Sequence, residues 1–353
     1  MKKVNLSRLG IGALISLTVY FSLLILMVEF EKDSPKTGIK SVYDAIWWST
    51  VTLTTVGYGD IVPTSEGGRI VGFAFIFGSL SLFGVIIGQI SSIMTNIKES
   101  RRLGQYGTHM KHHALIIGWN SFGKTVTEQL TGAGKQVAIV TKTKTDIDFI
   151  KENYPKSNVF ALYTDYNTIE HLLKANIKES SIVFVNLEDD TEKLVYILNL
   201  KKNFANLKYI VSLDNADLKQ TFVAAGVTYA LSKNEIASKL LASYIFEPDV
   251  AIFNEEIIAV AETDEQYDIK QYQVLKSNPY IGMPYEKVFY DVKRATNAVL
   301  VGMVKCDTEN RVLLKNPEGD IAIEEHDYLI LLVNGVSEKK ITRLFHTKEG
   351  LIE

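Results

Sequence analysis

The period of hydrophobic positions changes along the chain. Residues 9–28 form an uncharged run long enough to cross a bilayer, and the run 70–97 carries no charge at all. They predict membrane helices over 9–30 and 70–97. Between them, 41–53 (SVYDAIWWSTVTL) is apolar and aromatic but too short to span, so it predicts a re-entrant helix over 42–54. Beyond residue 113 the pattern becomes short Val/Ile/Leu runs, ALIIGW, QVAIVT, NVFALY, SIVFVNL and KYIVSL, alternating with amphipathic segments at 126–130, 147–154 and 169–175. Such alternation predicts βαβ units, and continuous apolar strands belong to a parallel sheet covered on both faces. This Rossmann-type α/β domain is expected over 113–232. In 233–254 a helical stripe of Ile236, Leu240, Leu241 and Ile245 precedes Pro248, read as its stop. The remainder, 255–353, predicts a small α+β lobe with strands near IIAVAE, QYQVLK, AVLVGMV and YLILLV and a last helix near 338–345. The fold class is therefore multi-domain: a helical membrane unit over 1–97, a linker over 98–112, and two cytoplasmic lobes.

Charge orients this plan. Lys2, Lys3 and Arg8 precede the first span and favour a cytoplasmic N-terminus; two spans return the C-terminus to the same side. A cleaved signal peptide fits poorly, because the apolar run is too long and Met27 to Phe30 offers no small-residue cleavage site. The net charge of -3 divides into +3 over 1–110 and -6 over the rest. An acidic soluble part excludes nucleic acid as the expected partner. One cysteine, Cys306, precludes an intramolecular disulfide and suits a reducing compartment. The linker is polar and basic with two glycines. His109, His112 and His113 lack the regular spacing of a metal site, and Met110 offers a second start that would yield a free soluble lobe.

The densest chemistry lies in 52–60, TLTTVGYGD. Gly57 and Gly59 alternate with Val56 and Tyr58, which permits dihedrals that turn successive carbonyl oxygens the same way. A row of carbonyls is a cation site. The short helix ahead would direct its partly negative C-terminal end at the ion path, with Trp47 and Trp48 placed to brace Tyr58. Gly72, Gly78, Gly84 and Gly88 in the second span permit close packing or a bend.

In the α/β domain the first turn is Gly118-Trp119-Asn120-Ser121-Phe122-Gly123. A dinucleotide fingerprint places glycine where Asn120 stands, and an acid about twenty residues on where Thr141 and Lys142 stand. Ordinary NAD binding is weakened, and an oxidoreductase more so, since no acid/base pair accompanies the turn. The sheet's carboxyl edge still gathers Asn120, Thr141, Asp165, Asn186, Glu188 and Asp214 as ligand-binding candidates. Asp189 and Asp190 are read as caps of the following helix.

The run WWSTVTLTTVGYGD resembles the pore of potassium channels. That resemblance implies a filter loop of Thr55, Val56, Gly57, Tyr58 and Gly59, with K+ sites from Thr55 Oγ1 and the carbonyls of Thr55, Val56, Gly57 and Tyr58, Asp60 at the extracellular mouth and four copies around one axis. Some relatives carry a carboxylate at the position of Val51. The resemblance also makes Gly78 or Gly84 the gating hinge. The segments ALIIGWNSFG, TDYNTIEHLLKANI and SIVFVNLEDDTEKLVYILNLKK resemble the regulator-of-potassium-conductance (RCK) domain, and the whole chain resembles two-helix, ligand-gated prokaryotic channels of the MthK type. Their calcium-sensing acids fall at Asn186, Ser212 and Asp214, of which Asp214 alone keeps a carboxylate and is the metal candidate. The implied protein is a homotetramer in a prokaryotic plasma membrane, in contact with lipid. A gating ring of RCK domains would carry the stripe at 236–245 as a dimer surface and answer to Ca2+, another divalent cation, a nucleotide or protons. The alternative is a membrane-anchored RCK sensor regulating a separate potassium transporter, which leaves a complete filter unexplained.

Overall fold

The computed structural model describes residues 6–36, 38–306, 311–347 and 349–350, with side chains from residue 14 onward except Leu82. Lys2 and Lys3 lie outside the described residues. The chain divides into two units, Met1–Glu99 and Ser100–Glu353.

The first unit contains α1 (Leu6–Glu31), α2 (Val42–Leu53) and most of α3 (Glu66–Arg102). Both α1 and α3 are long and apolar enough to cross a membrane, with mean hydropathy of 1.8 over Leu14–Glu31 and 2.5 over an 18-residue stretch of α3. Each runs beyond its expected ends. Leu24, Met27, Ala45, Trp48, Val71 and Phe75 pack together where the three helices meet. Outside that cluster Leu14, Leu17, Phe73, Phe77, Leu80 and Ile90 are exposed, a surface suited to lipid or to further copies rather than to water. Helix α2 starts where it does because Ser41 and Asp44 form a capping box.

The second unit opens with a six-stranded parallel sheet in the order β3-β2-β1-β4-β5-β6. Its strands are β1 (Ala114–Ile117), β2 (Val137–Thr141), β3 (Val159–Tyr163), β4 (Ile182–Val185), β5 (Tyr209–Leu213) and β6 (Tyr229–Ser232). Helices α4 (Ser121–Gly132) and α5 (Lys144–Asn153) follow β1 and β2. Helices α6 (Asp190–Asn203) and α7 (Lys219–Ala224) follow β4 and β5. Alternate residues of each strand enter different clusters: Leu115 and Ile117 pack with Leu172, Ile197 and Phe222, while Ile116 packs with Ile139, Ile147 and Phe184. This is the doubly wound order with its switch point between β1 and β4.

Two helices follow, α8 (Lys233–Phe246) and α9 (Pro248–Ile258), joined at Glu247. Pro248 does more than stop α8, because a proline at the first helical position starts α9. Consequently IIAVAE is not a strand. Its first two residues end α9, and the amides of Val260 and Ala261 bond the side chains of Gln129 (2.8 Å) and Asp268 (3.2 Å) rather than a neighbouring strand. The last lobe is an antiparallel sheet in the order β7-β10-β8-β9, packed against α10 (Tyr285–Thr296) and α11 (Gly335–Phe345). Its strands are β7 (Tyr267–Gln273), β8 (Val299–Cys306), β9 (Arg311–Lys315) and β10 (Tyr328–Asn334). Strand β9 had no counterpart in the sequence reading, for its residues are mostly exposed at an edge.

The expected linker over 98–112 also changes character. Helix α3 continues to Arg102, and Gly104, at φ 72°, closes it with bonds from Gly104 N to Arg101 O (3.2 Å) and Gln105 N to Ser100 O (2.9 Å). That pair of bonds is a Schellman stop, so this glycine is a helix terminator rather than a sign of slack.

Candidate functional site: pore loop and sheet edge

Past α2 the backbone takes positive φ at every second residue: Thr55 at 61°, Gly57 at 59° and Gly59 at 76°. Left-handed residues alternating with right-handed or extended ones turn consecutive carbonyls to a common side. The amides of the loop are drawn back toward the helix end. Thr55 N bonds Thr52 O (3.1 Å), while Val56 N and Gly57 N both bond Val51 O (3.1 and 3.2 Å). Among the described residues no donor reaches the carbonyls of Thr55, Val56, Gly57 or Tyr58. A strip of unpaired oxygens is what dehydrating a monovalent cation requires.

The two tryptophans divide their work. The Trp47 ring lies parallel to Tyr58 with centroids 6.2 Å apart, and its Nε1 donates to Asp60 Oδ2 at 3.0 Å, so one side chain ties two points of the loop to α2. Trp48 is buried against Phe75 of α3, with centroids 5.4 Å apart. Gly72 lies 3.6 Å, measured from a built Cβ, from that indole, which explains a small residue there. Around Gly78 and Gly84 there is open space, and α3 is helical through both.

One member of this unit escaped the sequence reading. Glu31, at the end of α1, is fully buried and accepts from Thr64 N (3.0 Å), Thr64 Oγ1 (3.1 Å), Ser65 N (2.8 Å) and Ser65 Oγ (2.7 Å). It binds the residues that open α3, where an anion also meets the positive helix end. A Cβ on Gly68 would fall 2.0 Å from its Oε1. Only the juxtaposition of an acid ending one span with T-S-x-x-G opening the next could have signalled it.

At the sheet's carboxyl edge two of the candidates meet. Asn120 caps α4 by accepting from Gly123 N (3.0 Å), and the same oxygen accepts from Asn186 Nδ2 (2.8 Å) across the switch point. Gly118, at φ 93°, has no room for a side chain, since a Cβ would lie 2.4 Å from Asn186 O. The position that admits a pyrophosphate in dinucleotide folds is thus filled by an amide pair. Thr141 is turned inward, donating to Asp146 (2.6 Å). Asp165 pairs with Lys142 (3.4 Å), whose ammonium lies 4.0 Å from the Tyr166 ring centroid. Asp214 is exposed and pairs with Lys233 (2.8 Å); Glu188 is exposed as well. Asp189 caps α6, as expected. Asp190 instead receives the fully buried Lys193 ammonium (2.7 Å) and the amides of Asp214 (3.1 Å) and Asn215 (3.0 Å). Burial alone would raise its pKa, but those amides and that ammonium hold the carboxyl below its ordinary range.

Among the described residues no three His, Cys, Asp or Glu side chains gather as a metal cluster. A cavity of about 450 Å³ opens at this edge, lined by Asn167, Asp189, Thr191, Glu192 and Tyr196. A larger one of about 860 Å³ lies between α9, the loop at 259–266 and β7, and none of the candidates lines it.

The geometry defines a channel-type pore loop carried by the same chain as a doubly wound α/β lobe. Comparison agrees on both parts: residues 11–96 match the family described as ion channel, and residues 114–233 match the TrkA-N domain. The calcium-gated potassium channel TvoK of Thermoplasma volcanium is 26% identical over 255 residues, covering 69% of this chain and 72% of that one. Potassium channel protein 1 of Methanocaldococcus jannaschii is 22% identical over 272 residues, covering 76% and 78%. Among solved structures, the human SLO3 gating ring matches with a TM-score of 0.50 at 11% identity, covering 66% of this chain and 46% of that one. The GsuK channel bound to NAD matches 96% of this chain at a TM-score of 0.39 and 15% identity, and the chain spans 60% of that channel's length. The chain thus joins an ion-channel domain to a TrkA-N lobe, the organisation of potassium channels gated by cytoplasmic RCK domains.

Proposed function

We propose that the chain is one protomer of a homotetrameric, potassium-selective channel of a prokaryotic plasma membrane, with both termini cytoplasmic and a ring of RCK lobes that sets the gate. The observation that carries this reading is the alternating positive φ from Thr55 to Gly59, with the intervening carbonyls left without donors. Four such strips around an axis supply the oxygens that replace a potassium ion's water. Asp60, held by Trp47, stands at the outer mouth, and Gly78 and Gly84 are the places where α3 has space to bend. Helix α8 buries none of its residues, and Ile236, Leu241 and Ile245 are exposed along it. It is the surface we assign to lobe pairing. The lobe has a regulatory role and no catalytic one. TvoK is calcium-gated by name, and GsuK has been solved with NAD, so a divalent cation and a nucleotide are the two ligand classes to test at the edge between Asn120 and Asp214. A ligand opens the channel only by binding the open form more tightly than the closed one.

The test is recording from the purified protein in planar bilayers under a potassium/sodium gradient. Reversal potentials should follow potassium, and open probability should respond to cytoplasmic Ca2+ or NADH. Currents indifferent to which cation carries the gradient would overturn the assignment.

A further inference from the structure

We propose that the segment after α3 is an anchor built into the RCK lobe, and that gating movement is delivered to the inner helix at residues 103–105 on the edge of β3. The inference rests on the channel reading and adds where the second unit holds residues 100–112. A polar stretch with two glycines would serve equally well as a slack tether. What the second unit shows is a segment bonded along most of its length.

Leu103 is buried and belongs to the same cluster as Ile116, Val137, Ile139 and Ala161. Its carbonyl accepts from Tyr163 N at 3.0 Å, so the segment covers the free edge of β3, the outermost strand. Gly104 sits so close to that strand that a Cβ would fall 2.2 Å from Ala161 O. Gln105 donates to Tyr163 O and accepts from Lys174 Nζ (2.7 Å). Further on, Thr108 N bonds Lys174 O (2.9 Å), Asn176 Nδ2 bonds Met110 O (2.7 Å) and His112 N bonds Glu179 O (2.7 Å).

Helix α5 holds the helix end from another side. Lys151 Nζ donates to the carbonyls of Arg102 and Arg101 in the last turn of α3, and Asp148 pairs with the Arg102 guanidinium (2.6 Å). The last turn of α3 is therefore capped by the lobe. Rotation of β3 and α5 reaches α3 through a buried leucine and a glycine that admits no side chain, with no free chain between. Residues 103–105 act as positioning residues for the gate.

Two measurements on the full-length tetramer in lipid nanodiscs and bilayers decide this. Hydrogen exchange should find the amides of Gln105, Thr108 and Tyr163 slowed at least about a hundredfold relative to unstructured peptide; exchange at free-peptide rates would refute the anchor whatever the channel conducts. For coupling, two glycines inserted between Lys98 and Glu99 place slack ahead of the anchor, whereas two inserted between His109 and Met110 lie behind it. The first insertion should shift open probability about tenfold or more and the second less than about threefold. The double variant Leu103→Ala/Gln105→Ala, which leaves the helix length alone, should shift it in the same direction as the first. Equal effects of the two insertions, zero included, overturn the proposal. So does a double variant that loses Tyr163 protection while gating as wild type.

Discussion

Thr55, Gly57 and Gly59 share a backbone conformation, but the fold tolerates replacement at each differently. A Cβ on Gly59 would meet nothing within 4 Å, so the obstacle is the dihedral itself, about 1–2 kcal/mol for an L residue and repeated in every copy. Gly59→Ala should abolish potassium flux while leaving the melting of the RCK lobe unchanged; selective current from that variant would count against the filter assignment. Glu31 fails for a different reason, the sense of its hydrogen bonds: two of its four partners are the backbone N–H groups of Thr64 and Ser65, which cannot accept, and Gln in its place turns an amide NH2 toward one of them or forces a hydroxyl to turn around. Glu31→Gln should lower pore-domain stability by about 2 kcal/mol, read as a lower temperature for tetramer dissociation in detergent. His113 adds a pH dependence. It is buried with Nε2 on Ala175 O (3.0 Å), and burial pushes its pKa down, the carbonyls of Ala175 and Met110 offsetting part of that. A histidine whose folded pKa is depressed gives its full stability above its ordinary value near 6.5 and loses it as pH falls toward the folded value. The lobe's melting temperature in the full chain should therefore drop between about pH 7 and about pH 5 in wild type, and this part of the drop should vanish in His113→Gln.

Elements were readable where one physical signal decides them. Uninterrupted apolar length fixed both spans, and Val/Ile/Leu runs between amphipathic stretches placed the parallel strands, because such runs have nowhere to go but the middle of a three-layer domain. The readings that failed each involve a signal with two meanings. Gly104 stands in a stretch that reads as a linker from residue 98, yet α3 continues to Arg102 and this glycine terminates it, and IIAVAE has strand propensity but its amides bond Gln129 and Asp268. The partners of the candidate ligand residues were not legible: the pairs Asn120–Asn186 and Asp214–Lys233 depend on contacts across strands that no local pattern encodes. Helix α8 gives a test at this scale. Ile245 is 81% exposed, so Ile245→Glu should leave the protomer folded and weaken lobe pairing, seen as smaller particles by light scattering.

For the molecule as a whole, the proposed gating has the pore and the lobe trade free energy through α3, and such an exchange is reciprocal. Gly84 offers a way to measure it. Alanine there meets no neighbouring atom, so the substitution acts on the helix alone, favouring straight over bent backbone by about 1 kcal/mol per copy. If opening bends α3 at this glycine, four copies bias the tetramer toward closure by up to about 4 kcal/mol, and open probability at a fixed stimulus should fall by tenfold or more. Linkage then requires a second change at a distance. Any cytoplasmic ligand that opens the channel must bind the Gly84→Ala tetramer more weakly than wild type, although the lobe is untouched. Titration calorimetry on the two tetramers measures that difference directly. Reduced opening with unchanged ligand affinity would mean that the ligand does not act through the bend at Gly84, and the hinge would have to be sought at Gly78 or beyond the helix.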